Sequence, residues 1–129
     1  MADNIRRVLV SRVALNAVDT AGGVFAWANP HENNIAIIGC FIHVSTVATA
    51  ACTIDVGTTA TSATTSSDTL LDGLDVNAAT GVFDNNTDKG TNGKTRQVLA
   101  AGKWVTASKA SGATAGLSGY AYIEYVVLA

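Results

Sequence analysis

The chain has 129 residues, a formal net charge of −2, and only 14% charged side chains. This length fits one domain, and 48% hydrophobic residues are enough for a core without disulfides or a metal. Sequence-independent nucleic-acid binding needs several clustered cationic side chains, which are missing, and no apolar run is long enough to span a bilayer. We therefore expect neither a nucleic acid nor a membrane as partner.

The first 28 residues contain two candidate strands. Residues 5–15 are rich in Val, Leu and Arg and predict an edge strand or an extended arm. Arg6, Arg7 and Arg12 lie there without the uninterrupted apolar stretch of a signal peptide, so we expect synthesis in a cytoplasm. After a turn, residues 24–28 predict a short second strand.

Residues 35–56 predict two strands at the centre of the molecule. In the first strand one parity is apolar and the other is mixed, which indicates one core-facing side. The apolar set is Ala36, Ile38, Cys40, Ile42 and Val44, and the mixed set includes Ile37, Phe41 and His43. Residues 52–56 alternate in the same way. We interpret the pair as a hairpin that needs a second sheet against its apolar face.

The middle of the chain is rich in small polar residues. Residues 57–68 predict an ordered surface loop, with a linker between domains as the alternative. Residues 70–76 fit either a helical turn or a short strand. Residues 85–95 are dense in turn formers, and their Asn92-Gly93 pair predicts a tight turn.

The last third predicts three more strands, at residues 96–102, 103–110 and 115–128. In the last one, the odd positions from Leu117 to Val127 share one face. Eight or nine short strands separated by frequent turns indicate an all-β single domain, residues 1–129, that is a jelly-roll-like β-sandwich.

No group of residues predicts catalysis or a bound cofactor. Cys40 and Cys52 both fall at inward positions, and either free thiols or a bridge is compatible with the sequence. Asp84, Asn86 and Asp88 alternate like the first ligands of a calcium loop, but the glycine and the last ligand are misplaced. The alternative is that these side chains cap their own turn. Gly93-Lys94-Thr95 lacks the rest of a phosphate-binding loop. We expect no enzyme, no metal and no cofactor.

The mixed side of residues 35–45 is the candidate interface. Ile37 and Phe41, with Tyr120 and Tyr122 from the last strand, would place apolar area outside the core. Exposed apolar patches usually mark contacts with other proteins, and the alternative is a second buried layer. If this side is an interface, a closed homo-oligomer is expected.

Four segments of the second half resemble a known class of virion proteins. They are Leu-x-x-Gly at 70–73, Gly-x-Phe-Asp-Asn at 81–85, Ala-Ala-Gly-x-x-Val-Thr at 100–106, and Gly-Leu-x-Gly-x-Ala-Tyr-Ile at 116–123. With these segments the chain resembles the capsid decoration, or cement, proteins of tailed bacteriophages. The resemblance implies a structural protein, often a trimer, on the outer capsid surface at local threefold positions, with the major capsid protein as partner.

The resemblance assigns no individual binding residues. From the residues themselves, Arg6, Arg7 and Arg12 are candidates for contact with an acidic capsid shell, and an ordinary edge strand is the alternative. A second hypothesis is a glycan-binding module of a head fibre or receptor-binding structure. Its platform would be the aromatic side chains Trp27, Trp104, Tyr120 and Tyr122.

Overall fold

The computed structural model describes residues 7–62 and 67–128. These residues form nine strands: β1 Leu9–Ala14, β2 Phe25–Ala28, β3 Ile35–Thr46, β4 Cys52–Thr59, β5 Leu71–Asp75, β6 Gly81–Asp84, β7 Gln97–Leu99, β8 Trp104–Gly112 and β9 Ser118–Val127. Within the described part of the chain there is no helix of the length and apolarity needed to cross a membrane.

The strands form two antiparallel sheets that pack face to face. The first sheet has the order β1-β9-β3-β6, with β7 also paired to β3, and the second has the order β2-β8-β4-β5. In sequence order, the paired strands are nested: β4 pairs with β5, the strands on either side of them pair as β3 with β6 and β7, and outside these β2 pairs with β8 and β1 with β9. Each successive pair belongs to the other sheet. This nesting is the topology of a jelly roll. The predicted all-β sandwich is confirmed.

The core lies between the two sheets and is built from the inward parity of each strand. In β9 the predicted face is buried at every position, and Ala121 and Ile123 are fully inaccessible. Ile54 and Val56 of β4, in the second sheet, are also 0% exposed. Phe25 supplies the largest fully buried side chain. Burial of these side chains is the main stabilising contribution to the fold.

The predicted central hairpin is wrong. β3 pairs with β9, β6 and β7 in the first sheet, whereas β4 pairs with β8 and β5 in the second. Residues 47–51 therefore carry the chain from one sheet to the other. Two consecutive strands with one apolar face each can bury those faces side by side or facing each other across a core. The alternation is the same in both cases, so it could not distinguish them.

The predicted parity of β3 is wrong at its beginning. Ile35 and Ile37 are both 0% exposed, and Cys40, Ile42 and Val44 are also buried. A β-bulge explains the change of parity, because Ile37 lies opposite Tyr125 while Gly39 lies opposite Glu124. One extra residue in a strand reverses the facing of all residues on one side of it. Ile37 is thus a core residue and not an interface residue.

Several open alternatives are decided by the fold. Leu71–Asp75 form a strand, not a helical turn, and Leu9–Ala14 form an edge strand of the first sheet. Cys40 and Cys52 are free thiols on opposite sheets. Burial raises the pKa of the Cys40 thiol to about 12, so it is an inert core side chain.

Candidate interaction surface

The outer face of the first sheet is the side of β1, β9, β3, β6 and β7 that points away from the core. Pairing register arranges its side chains in rows that run across the strands. The charged row is Asp84, Phe41, Tyr122 and Arg12; the histidine row is Val82, His43, Tyr120 and Ala14; and the valine row is Val98, Ala36 and Val126. Cross-strand neighbours on one face lie close enough to contact each other.

This face is apolar and open. Val82 is 65% exposed, Val98 59%, Val10 56% and Tyr120 38%, and all four lie on it. They make up more than half of the exposed large hydrophobic side chains among the described residues, since the others are Val8, Val18 and Leu128. Single exposed valines need no explanation. Here Val82 and Val98 lie near opposite ends of β3 and Val10 lies on the edge strand, so exposed apolar area is spread over one face of one sheet. Exposed apolar area collected on one face is a feature of interaction surfaces.

The charges of the face lie towards its edges. Arg12 is on the edge strand β1, and its guanidinium stacks over the ring of Tyr120 at 4.4 Å from the ring centroid. A cation over an aromatic ring is attracted to it and loses rotational freedom. Asp84 ends β6 at the opposite edge. Among the described residues of this face, only Glu124 places a charge between them, one row away and opposite Val10.

The hydrogen bonds of Asp84 and Asp88 fasten the turn that ends β6. Asp84 Oδ1 accepts from the backbone N–H groups of Asn86 and Thr87, each at 2.8 Å. Asp88 Oδ2 accepts from the N–H of Asp84 at 3.0 Å. The backbone donors of Thr87 and Asn86 hold the pKa of Asp84 below its usual value. These side chains thus cap their own turn, the alternative to a calcium loop.

Asn85 attaches the same turn to β3. Its side-chain oxygen accepts from the N–H of Cys40 at 2.9 Å. Its Nδ2 donates to the carbonyl oxygens of Lys94 at 2.9 Å and Thr95 at 3.1 Å. Asn85 is only 2% exposed, so this amide holds the edge of the sheet from inside.

No cluster of three or more His, Cys, Asp or Glu side chains suited to a metal occurs within residues 7–62 and 67–128.

The predicted interface residues are brought together in part. Phe41, Tyr120, Tyr122 and Arg12 share the outer face, whereas Ile37 lies in the core. Arg7 is exposed just before β1, and Arg6 lies outside the described residues.

Sequence reasoning missed the valines of the face. Val10 has the same parity as Arg12 in β1, so that strand already contained the signal. Val82 and Val98 could not be found, because the sequence does not reveal that β6 and β7 pair with β3.

The four aromatic residues of the proposed glycan platform are not brought together. Trp27 lies on the second sheet and packs into the sandwich against Tyr125, with ring centroids 5.4 Å apart. Trp104 is on β8 of the second sheet, opposite Ala28 and Thr59. Tyr120 and Tyr122 lie on the outer face of the first sheet. A sugar needs adjacent rings, so these four side chains do not form one binding platform.

The two histidines also lie apart. His31 Nε2 is 3.1 Å from the hydroxyl of Tyr125, at one end of the sandwich. His43 lies on the outer face between Val82 and Tyr120.

Comparison of the chain with protein-family models, curated proteins and solved structures found no match.

Proposed function

We propose that the chain is a structural protein of a phage virion, which decorates and stabilises the outer surface of the capsid shell without catalysing a reaction. The observation that carries this proposal is the open apolar outer face of the first sheet, where Val82 and Val98 are more than half exposed. An exposed apolar face of this kind is suited to lasting contact with another protein and less suited to catalysis. The resemblance of residues 68–126 to capsid decoration proteins supports the same function.

The proposed active form is a homotrimer at the local threefold positions of the shell. A closed ring covers the apolar faces of all its members, which a monomer cannot do. Three linked copies bind a symmetric surface with much higher avidity than one copy, so each contact with the shell can be modest.

The proposed contact with the major capsid protein is made by Arg6 and Arg7. Arg7 is exposed two residues before β1, which is an edge strand of the first sheet. Two adjacent arginines suit a partner surface rich in carboxylates, because the guanidinium group binds a carboxylate with two parallel hydrogen bonds.

The test uses shells of the phage that encodes the chain, assembled without it. The full chain is added to these shells, which are then sedimented, and the bound protein is quantified. We expect saturable binding, and at least about a tenfold lower affinity for the Arg6→Gln/Arg7→Gln variant, since two charged hydrogen-bonded contacts are removed.

The matched control is Lys103→Gln together with Arg96→Gln, which removes two exposed positive charges elsewhere on the surface. It should bind like the unmodified chain. If the unmodified chain does not sediment with the shells at any concentration, the proposed function is wrong. If the Arg6→Gln/Arg7→Gln variant binds the shells as tightly as the unmodified chain, the assignment of the contact to these arginines is wrong.

A further inference from the structure

We propose that the outer face of the first sheet is where copies of this chain meet, with Arg12 of each copy beside the partner's Asp84. This inference rests on the homo-oligomer in the proposed function and specifies its contact. The partner chemistry follows from the face itself, because its charges are complementary to those of a second copy.

The charged row carries opposite charges at its two ends. Arg12 on β1 and Asp84 on β6 lie at opposite edges, and Phe41 and Tyr122 separate them. Strands are spaced by about 4.8 Å, so three intervals place the two backbones about 14 Å apart. The two side chains therefore do not neutralise each other within one copy. The residue opposite Arg12 on β9 is Tyr122, which offers no carboxylate.

Both charged groups are held in place before any partner binds. The guanidinium of Arg12 lies over the Tyr120 ring. All hydrogen bonds that the Asp84 side chain accepts from described residues go to Oδ1, from Asn86 and Thr87. Oδ2 is thus available to a donor from outside. Fixed groups lose little conformational entropy on association, which strengthens the contact.

Symmetry then decides how two copies can face each other. A rotation axis parallel to the strands places each row of one copy against the same row of the partner, with the two ends of the row exchanged. Arg12 then meets the partner's Asp84 in a pair or in a ring of three. An axis across the strands would instead bring β1 next to β1 of the partner, with two arginines close together. Like charges oppose such a contact, so the charge pattern favours the parallel axis.

The flanking rows fit the same arrangement. The histidine row on one side of the charged row carries no carboxylate, lysine or arginine, and neither does the valine row. The row between the charged row and the valine row contains Glu124, opposite Val10 and Gly39. Exchange of the ends of the histidine row brings Val82 next to the partner's Ala14, a large side chain against a small one. Apart from Glu124, the middle of this interface carries no formal charge, and the paired charges lie at its rim, as is typical of stable assemblies.

The experiment measures the mass of the full chain by light scattering after size exclusion, over a dilution series. Arg12→Gln, Asp84→Asn and the double variant form a double-mutant cycle. We expect each single variant to weaken association by about tenfold, and the double variant to be no weaker than the singles, because both substitutions remove the same contact. Asn at position 84 keeps a side-chain oxygen for the turn.

Two controls separate this contact from general effects. Lys103→Gln removes a charge outside the outer face and should associate normally. Val82→Asp should abolish association, whereas Val18→Asp, at a valine that is 45% exposed in the loop before β2, should not. Circular dichroism and thermal unfolding of each variant establish that it is folded.

The outcomes divide clearly. A single-chain mass for the unmodified protein at every concentration overturns the inference, as do additive losses in the cycle. The capsid sedimentation assay is independent of this result. If the chain binds the shells and the double variant associates no more weakly than the single variants, both proposals are supported. If the cycle gives this result but the chain does not bind the shells, only the proposed association is supported.

Discussion

The outer faces of the two sheets differ in what covers them. On the second sheet, Thr106 and Ser108 point away from the core, yet they are only 1% and 2% exposed. The loop before β2 covers Ser108, whose Oγ accepts from the N–H of Gly22 at 2.8 Å. On the first sheet, Val82 and Val98 point outward and remain open.

The chain has therefore buried two outward-facing hydroxyl side chains on the second sheet and left two outward-facing valines exposed on the first. A monomer optimised only for stability would do the reverse, because burial of valine is favourable and burial of a hydroxyl is costly. This difference supports the proposal that the outer face of the first sheet contacts another protein. Substitutions on the two faces should then have different effects on folding.

The largest difference is expected at two buried glycines in outward-facing register, one on each sheet. An added Cβ at Gly57 on β4 would lie 2.7 Å from the backbone nitrogen of Thr69, in the segment that covers this strand. At Gly39 on β3 it would lie 2.6 Å from Glu124 Oε1, the end of a flexible side chain. We expect Gly57→Ala to lower the free energy of unfolding by about 1–3 kcal/mol, since backbone must move. Gly39→Ala should stay within about 1 kcal/mol.

Urea unfolding of both variants measures this difference. Equal losses at the two positions would show that Glu124 is as fixed as the covering segment of the second sheet. The asymmetry between the faces would then not extend to their glycines.

A smaller effect is expected for two serines. Ser108→Ala removes the acceptor of the Gly22 N–H where the loop before β2 lies against β8. We expect this to lower the free energy of unfolding by about 1–2 kcal/mol. Ser45→Ala on the first sheet removes an exposed bond to the carbonyl of Ser118 at 3.0 Å. Because water replaces that bond, the change should stay within about 0.5 kcal/mol. Loss of stability for Ser45→Ala alone would contradict the comparison.

The smallest effect should appear as pH dependence of the loop that covers Ser108. Asp19 in this loop accepts from the hydroxyl of Thr114 at 2.6 Å and from its N–H at 2.9 Å. The hydroxyl, followed by the N–H, lowers the pKa of Asp19. A lowered pKa in the folded state adds stability at neutral pH, and that stability disappears as the pH falls through the folded pKa, below about pH 4.

The measurement compares the unmodified chain with Asp19→Asn from neutral to acidic pH. The difference in unfolding free energy should be largest near neutrality and shrink on acidification. A difference that is constant over this range would show that the carboxylate charge contributes nothing to holding the loop.

The sequence determined the fold class and most of the strands, because alternation depends only on which side chains enter a core. The final strand illustrates this, since every predicted inward position from Leu117 to Val127 is buried. It also placed Phe41, Tyr120 and Tyr122 on one side of the molecule, although pairing of β3 with β9 was only an assumption. Turn capping by Asp84 follows from local chemistry and was among the alternatives.

Only the tertiary structure decided which strands are neighbours. The bulge at Ile38 moved Ile37 into the core, and a strand pattern does not encode where a partner strand shifts its register. The same pattern also could not place β3 and β4 in different sheets. The rows that join Arg12 to Asp84 across the sheet arise from contacts between residues far apart in the chain. The sequence thus specified the alternation of most strands, and the sheet pairing decided which side of each strand lies in the core and which remains exposed.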